Sequence, residues 1–378
     1  MQTSLAPDVD AANELTRRWC AAAGSDDFAL SGCGIWPLLA LLAPTAAEPA
    51  RTELAAAAGV SAQDAHRLAT TLLERLDTAA AVRAALGVWV RDDIALHDTW
   101  VRSLPEGAVS ALRGSRLDDW ARRNTDGLVD RFPVDIDESV ALALATAVRA
   151  RTSWTQPFLA DVLEPTSGPW TGHCGPALAR DGDTLGDATL LDTDTPVTRV
   201  VVRGGTELDV HLLLGPDSTT PATVLSAGLD ALAGAAVPLP FPVDGGPGVR
   251  VREVTAVRNT VRIQLPPFDI HSTHDLLGRA ELFGVRTATS AAGNRFPGLS
   301  STPLSLTAAA QDVRARFTAD GFHAAAVSAV MMDPTGMPPA PTPCLEISVT
   351  FDRPFGFLAV HRSTGLVIVA GWVATPAG

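Results

Sequence analysis

Seven consecutive residues, Ala324-Ala325-Ala326-Val327-Ser328-Ala329-Val330, carry no charge, no glycine and no proline, yet they sit where the chain otherwise reads as a loop. A single glycine, Gly321, stands just before them. Met331 to Pro343 follows with turn composition and no periodicity, which reads as exposed loop. Leu345 to Phe351 then alternates as a strand and leads into Asp352-Arg353-Pro354-Phe355. Small side chains lose little rotamer entropy on entering a sheet. A loop that begins with a strand's composition therefore calls for a fold with a sheet able to take it.

A chain of 378 residues suffices for one large domain or two ordinary ones, and 46% hydrophobic content supplies a sizeable core. The formal net charge is -13, and every basic residue is Arg. The acidic balance argues against a general nucleic-acid surface, the arginines are scattered, and no nucleic-acid partner is expected. The absence of Lys and Tyr points to the codon supply of a high-GC bacterial genome. Gln2 to Asn13 is too polar for a signal peptide, and no apolar run reaches membrane-spanning length, so a cytoplasmic protein without a membrane partner is expected. Cys20, Cys33, Cys174 and Cys344 are widely spread; two disulfides are formally possible, and four free thiols are expected in a cytoplasmic chain.

Helices dominate the first part. Asp8 to Cys20 places Ala11, Leu15 and Trp19 on one face, and Ile35 to Ala43, Ala46 to Gly59 and Ala62 to Leu76 follow. Leu86 to Val90 reads as a strand and Leu117 to Val129 as a helix built on Trp120 and ended by Gly127. Val140 to Trp154 reads as a long central strand. Strands dominate from Thr198 onward: a hairpin around Gly204-Gly205, Val249 to Val257, Thr260 to Leu265, Leu304 to Ala315 and a closing hairpin of Gly356 to His361 with Leu366 to Val373. Two helices interrupt them, Ala222 to Leu232 and Asp275 to Gly284, and Pro238 to Pro247 is irregular. Helices early, strands late and few alternating βα units predict an α+β single domain.

Several stretches recur in a recognisable order. They are Leu30-Ser31 before an apolar helix, Trp120 with Asn124-Thr125-Asp126-Gly127-Leu128-Val129, Trp154 with Gln156-Pro157-Phe158, and Leu265-Pro266-Pro267-Phe268. Phe351-Asp352-Arg353-Pro354-Phe355 and Gly371-Trp372-Val373-Ala374-Thr375-Pro376 complete the set. Together, over nearly the whole chain, they resemble the serpin (serine protease inhibitor) family in a bacterial-type member. The resemblance implies one domain over 1–378 with three β-sheets, roughly nine helices and an exposed reactive-centre loop at about 321–344. In inhibitory members a protease cuts that loop, the loop inserts as an extra strand, and the protease is trapped as an acyl-enzyme. The partner implied is a serine or cysteine protease, and the starting fold must be metastable. A monomer without cofactor or metal is expected.

On this resemblance Gly321 is the hinge glycine, with Phe322, Ala324, Ala325 and Ala326 entering the sheet first. One sheet face would take Phe322, Ala324, Ala326, Ser328 and Val330, the other His323, Ala325, Val327, Ala329 and Met331. The family's loop count puts the scissile bond at Thr335-Gly336, with Met331, Met332 and Met337 as alternative specificity residues because the loop is long. No Arg lies between Gly321 and Leu345, which favours a chymotrypsin-, elastase- or subtilisin-like target over a trypsin-like one.

The chain departs from the family pattern in three places. Phe322 stands where a small residue, often Thr, is usual, and is expected to overpack the sheet by about 1–3 kcal/mol and slow insertion. Ala319-Asp320 replaces an acidic pair. A buried polar cluster of Ser, Asn and His maps onto Gly34, Thr146 and Gln311, so its loss is expected. These departures leave a second expectation, a non-inhibitory member acting as carrier, binding module or repurposed enzyme. Other constellations are weaker. Asp269, His271 and His274 are HxxH-like but read as solvated loop, and His173-Cys174 are neighbours that rarely face each other. Asp181, Asp183, Asp187, Asp192 and Asp194 lack an EF-hand pattern, and no GxSxG, P-loop, GxGxxG or HExxH motif occurs.

Overall fold

The computed structural model describes residues 5–127, 129–134, 137, 140–323 and 341–378. Ala324, Ala325, Ala326, Met331, Met332, Thr335, Gly336 and Met337, expected in a reactive-centre loop, lie outside them.

Helix α1 (Pro7–Ala22) opens on a proline, tolerated where the N–H has no helical partner, and buries Ala11, Leu15 and Trp19. Strand β1 (Phe28–Leu30) precedes α2 (Gly32–Leu42), which is apolar all round and almost wholly buried. Ser31 caps α2 by accepting the Gly34 N–H at 3.2 Å. Helix α3 (Ala50–Ala58) ends on left-handed Gly59, and α4 (Ala62–Thr78) is capped by Ser61. Next come β2 (Val82–Val90), α5 (Asp98–Val101), β3 (Val109–Ala111) and α6 (Gly114–Asn124). Helix α6 stops at Asn124, short of the expected Val129. The Thr125 hydroxyl donates to the Ala121 carbonyl at 2.8 Å and accepts from the Val129 N–H at 3.0 Å, and Asp126 and Gly127 turn the chain with φ of 51° and 75°.

The long central strand is two strands, β4 (Leu142–Ala150) and β5 (Thr152–Ser153), broken at Arg151. Strands β6 (Leu159–Leu163), β7 (Gly175–Gly182) and β8 (Ala188–Asp192) precede the hairpin of β9 (Val197–Val202) and β10 (Leu208–Leu214). Helix α7 (Pro221–Leu232), β11 (Val237–Leu239), β12 (Val249–Ala256) and β13 (Thr260–Leu265) follow. The stretch expected as loop around Asp269 and His271 is a strand, β14 (Phe268–Asp275). Its polar residues alternate with buried Phe268 and Ile270, so the polarity marks one face and not a loop. Short α8 (Ala280–Phe283) leads to β15 (Ala310–Phe317) and the two-residue β16 (Gly321–Phe322). Strands β17 (Thr342–Thr350), β18 (Phe355–His361) and β19 (Leu366–Val373) end the chain.

Every residue of β10, β18 and β19 is buried. These strands are the middle of a seven-stranded sheet, β1-β19-β18-β10-β9-β8-β11, with α1 and α2 against β19 and α7 across β18 and β10. Gly371 is required there, because a Cβ would lie 2.4 Å from the Phe28 carbonyl and from the Phe357 ring. A five-stranded sheet, β12-β17-β13-β7-β6, holds β17 on both edges, antiparallel to β12 and parallel to β13. The remaining strands make two groups, β14-β15-β16-β5 and β3-β2-β4. Among the described residues β4 and β15 do not pair with each other. The described residues thus leave the β14-β15-β16-β5 group and the β3-β2-β4 group side by side along one cavity without a ladder between them.

Candidate functional site

The parting between β4 and β15 is closed at one end by β16. Phe322 is the ladder partner of Phe317 on β15 and of Thr152 on β5, and Gly321 pairs with Ser153. The His323 N–H donates to the Arg316 carbonyl at 2.9 Å. The turn leading into β16 is tied down from outside. The backbone N–H of Trp154 donates to Asp320, that of Phe158 to Ala319, and the Trp154 indole to Thr318, each at 2.9 Å. Ala319-Asp320, in place of an acidic pair, thus serves through its carbonyls.

Phe322 is already seated in the sheet. It is fully buried, with its ring 4.6 Å from that of His323 and 6.5 Å from that of Phe357. The aromatic is part of the core at the head of the sheet, beside Phe317 and its partners Trp154, Phe158 and Phe268. The left-handed backbone also falls elsewhere than at the expected hinge glycine. Gly321 is ordinary strand, whereas His323 has φ of 51°, which is uncommon for a residue with a side chain. The His323 Nδ1 is buried without a hydrogen-bond partner, and burial pushes its imidazole down to about 4.

Beyond His323 lies a cavity of about 190 Å³. Thr146, Val148 and Ala150 of β4 line one side and Gln311 and Val313 of β15 the other, with Gly34, Ile35 and Leu38 of α2 behind and Trp120 and Ala121 of α6 across it. The lining is largely apolar. Among the described residues the edges of β4 and β15 that face this cavity have no ladder partners along it, and two such edges suit another strand, because each offers a row of backbone donors and acceptors.

The polar cluster expected to be lost is present in another form. Gln311 holds both backbone groups of Ser31, accepting its N–H at 2.9 Å and donating to its carbonyl at 2.9 Å. The Ser31 hydroxyl donates to the Ile368 carbonyl at 2.7 Å. Thr146 donates to the Gly34 carbonyl. The N-terminus of α2 is therefore fastened to β15 through Gln311 and to β4 through Thr146, one clasp on each side of the slot. Gly34 makes room for this, since a Cβ there would lie 3.1 Å from the Gln311 amide nitrogen. The cluster is carried by one long side chain, since Gln311 alone reaches both backbone groups of Ser31. Its hub, Ser31, could be read from sequence only as a serine preceding an apolar helix, the usual N-cap signal.

The other sequence candidates are structural. Asp269 pairs with Arg314 at 2.7 Å, His271 with Asp312 at 2.8 Å, and the His274 Nε2 lies 2.8 Å from the Ala29 carbonyl, so the three do not converge. Among the described residues no group of His, Cys, Asp or Glu is arranged to hold a metal ion. All four cysteines are free, and burial pushes the Cys20 and Cys33 thiols up to about 12. Cys174 is exposed and hydrogen-bonded to Glu164, which raises its pKa and makes it a poor nucleophile. No helix among the described residues is long and apolar enough to cross a membrane.

A family model described as serpin (serine protease inhibitor) matches residues 9–166 and 250–376. Solved structures of similar shape include human thyroxine-binding globulin with thyroxine, 17% identical with a TM-score of 0.72, covering 98% of this chain and 98% of that one. Native protease nexin-1 with heparin is 15% identical with a TM-score of 0.71, covering 97% and 98% of the two chains. A native thermophilic serpin, tengpin, is 15% identical with a TM-score of 0.73, covering 99% and 96%. No curated protein matches the chain in sequence.

Proposed function

The chain belongs to the serpin family, and on that premise we propose that it is a suicide-substrate inhibitor of serine proteases that works by loop cleavage and insertion. The observation that carries this reading is β16 seated between β15 and β5, with a cavity below it between β4 and β15, which do not pair among the described residues. Phe317 opposite Phe322 fixes the register of any extension of β16. Continued in that register, Ala324 would meet Ala315 and Ala326 would meet Val313, while Ala329 would reach Ala310 at the end of β15. The side chains in this part of the loop are small, as a narrow slot between two strands requires. Each inserted residue would give partners to two edges, and that gain drives a protease attached to the cut end along with the strand.

Cleavage at Thr335-Gly336 would free more than enough chain to fill the slot, and Met331, Met332 or Met337 would serve also. With no Arg in the loop, the target is a chymotrypsin-, elastase- or subtilisin-like protease, serine types before cysteine types. The protein acts as a monomer in the bacterial cytoplasm on this reading, without cofactor.

The similar structures include a thyroxine complex as well as a protease-directed serpin, so a carrier is the second reading. Of the features behind the carrier, Phe322 is already seated in the sheet and a polar clasp of Gln311 and Thr146 is present, which supports the inhibitor, while the long proline-rich loop with Pro338, Pro339, Pro341 and Pro343 still speaks for the carrier. The test is incubation with a panel of serine and cysteine proteases. A denaturant-stable complex, a released C-terminal peptide beginning near Gly336 and a large rise in the melting temperature of the cleaved chain are expected. Cleavage without either complex or rise would sink the inhibitor reading.

A further inference from the structure

The cavity between β4 and β15 has an apolar body, walled by Ile35 and Leu38 of α2, Val148 of β4, Val313 of β15 and Trp120 of α6. Its volume of about 190 Å³ exceeds the roughly 150 Å³ of an apolar cavity that stays dry and takes up benzene. Water gains little in such a space, because it finds few partners there. A single aromatic ring with one small substituent fits it by volume.

The polar groups of the lining decide what that substituent is. Ser31, Thr146 and Gln311 are used in the clasp on α2. Arg314 is paired with Asp269 at 2.7 Å, Asp312 with His271 at 2.8 Å, and Arg149 with Asp126. Each of these charged groups has its own partner, so a charged ligand would enter without one. Among the described residues two buried side-chain atoms of the lining remain without a hydrogen-bond partner, the His323 Nδ1 and the Arg149 Nε. Both residues lie within three positions of the Thr152–Phe322 pair, which puts them at the head of the cavity. The imidazole is hydrogen-bonded to the Arg314 backbone. With no partner at Nδ1, that bond uses the Nε2–H, and Nδ1 keeps its lone pair as an acceptor. A buried acceptor left unmatched is uncommon and costly. A hydroxyl is a small neutral group able to donate to the His323 Nδ1 or to accept from the Arg149 Nε–H.

We propose that this cavity binds a small neutral molecule of the phenol class, with its ring in the apolar body and its hydroxyl donating to the His323 Nδ1. In the register set by Phe317 and Phe322, an entering strand would bring Ala324 and Ala326 through the same space. Ligand and strand therefore exclude each other, and the ligand sets how readily the chain can trap a protease. The binding stands on the cavity alone, whereas the control of strand entry rests on the insertion proposed above.

The test is calorimetric titration of the uncut full chain with phenol and with toluene, which are alike in size and differ in the hydroxyl. Saturable one-to-one binding of phenol and a rise in the melting temperature of the uncut chain are expected. His323→Phe keeps a ring and removes the acceptor, so it should weaken phenol about tenfold and leave toluene unchanged. If that variant does not fold, the wild-type comparison decides. A purely apolar cavity takes toluene and rejects phenol, whose hydroxyl loses its water without a replacement. That result, or no saturable binding of phenol, would overturn the proposal. Titration of the loop-cleaved chain tells a failed site from a failed insertion. Phenol binding should be lost on cutting, because the strand then fills the cavity. Phenol held equally by uncut and cut chain would uphold the site and overturn both its control of strand entry and the insertion. An uncut chain that ignores phenol, with a cut chain that melts much higher, would overturn the site and uphold the insertion.

Discussion

Replacing Phe322 by Thr separates two accounts of the hinge. If the aromatic entered the sheet only after cleavage, Phe322→Thr would leave the uncut protein unchanged and stabilise the cut one. The structure places Phe322 fully buried at the head of the uncut sheet, beside His323 and Phe357. Truncating a buried Phe to Ala removes about 3–5 kcal/mol, and a Thr that fills part of the space should remove about 3 kcal/mol. For a domain of this size that lowers the melting temperature by about 4 °C. If cutting the loop leaves the seated residue where it is, the loss should be equal in uncut and cut protein and the interval between their melting temperatures should not change. Calorimetric scans of wild type and variant, each before and after limited cleavage of the loop, measure all four values. An uncut variant that melts with wild type would refute the placement of Phe322 and restore the blocked-hinge account.

Gln311→Leu keeps the side chain's size but leaves the buried Ser31 N–H without its acceptor, and should lower stability by about 2 kcal/mol in urea unfolding; an unchanged midpoint would mean that the clasp does not hold β15 to α2. The His323 imidazole is held down to about 4 by burial, below its ordinary 6.5, so the unfolded chain binds the proton more readily between those values. Stability from this group is therefore fully present above about pH 6.5 and is lost as pH falls towards 4, and His323→Gln should flatten that part of the pH–stability curve; a curve identical to wild type counts against it. With thiols at about 12, Cys20 and Cys33 should resist a thiol reagent at pH 8 until the chain unfolds, while exposed Cys174 reacts in the folded state. Four thiols titrating together in the folded protein would contradict their burial.

Most of the framework was legible in the sequence because periodicity reports which face of an element is buried. The spacing of Ala11, Leu15 and Trp19 placed α1, and the apolar-rich runs around Gly204-Gly205 and Ser363-Thr364-Gly365 read as the hairpins that β10, β18 and β19 belong to. Boundaries failed where a side chain, and not periodicity, ends an element, as Thr125 does for α6. Strand β14 failed for a related reason. Its serine, threonine and histidines look like loop until the partner strand supplies Arg314 and Asp312 to pair with them.

The sequence by itself determined that residues 324–330 are small, uncharged and able to become strand, and that Gly321 begins them, because composition sets side-chain size and entropy without reference to neighbours. Only the tertiary structure decided that Phe322 is buried in the sheet, that the left-handed residue is His323, and that Gly34, Thr146 and Gln311 make a polar clasp through Ser31. Those outcomes depend on contacts between residues 112 to 280 positions apart, such as Thr146 with Gly34 and Gln311 with Ser31. A hydrogen bond or a filled volume is a property of such a pair, and a single position in the chain does not carry it.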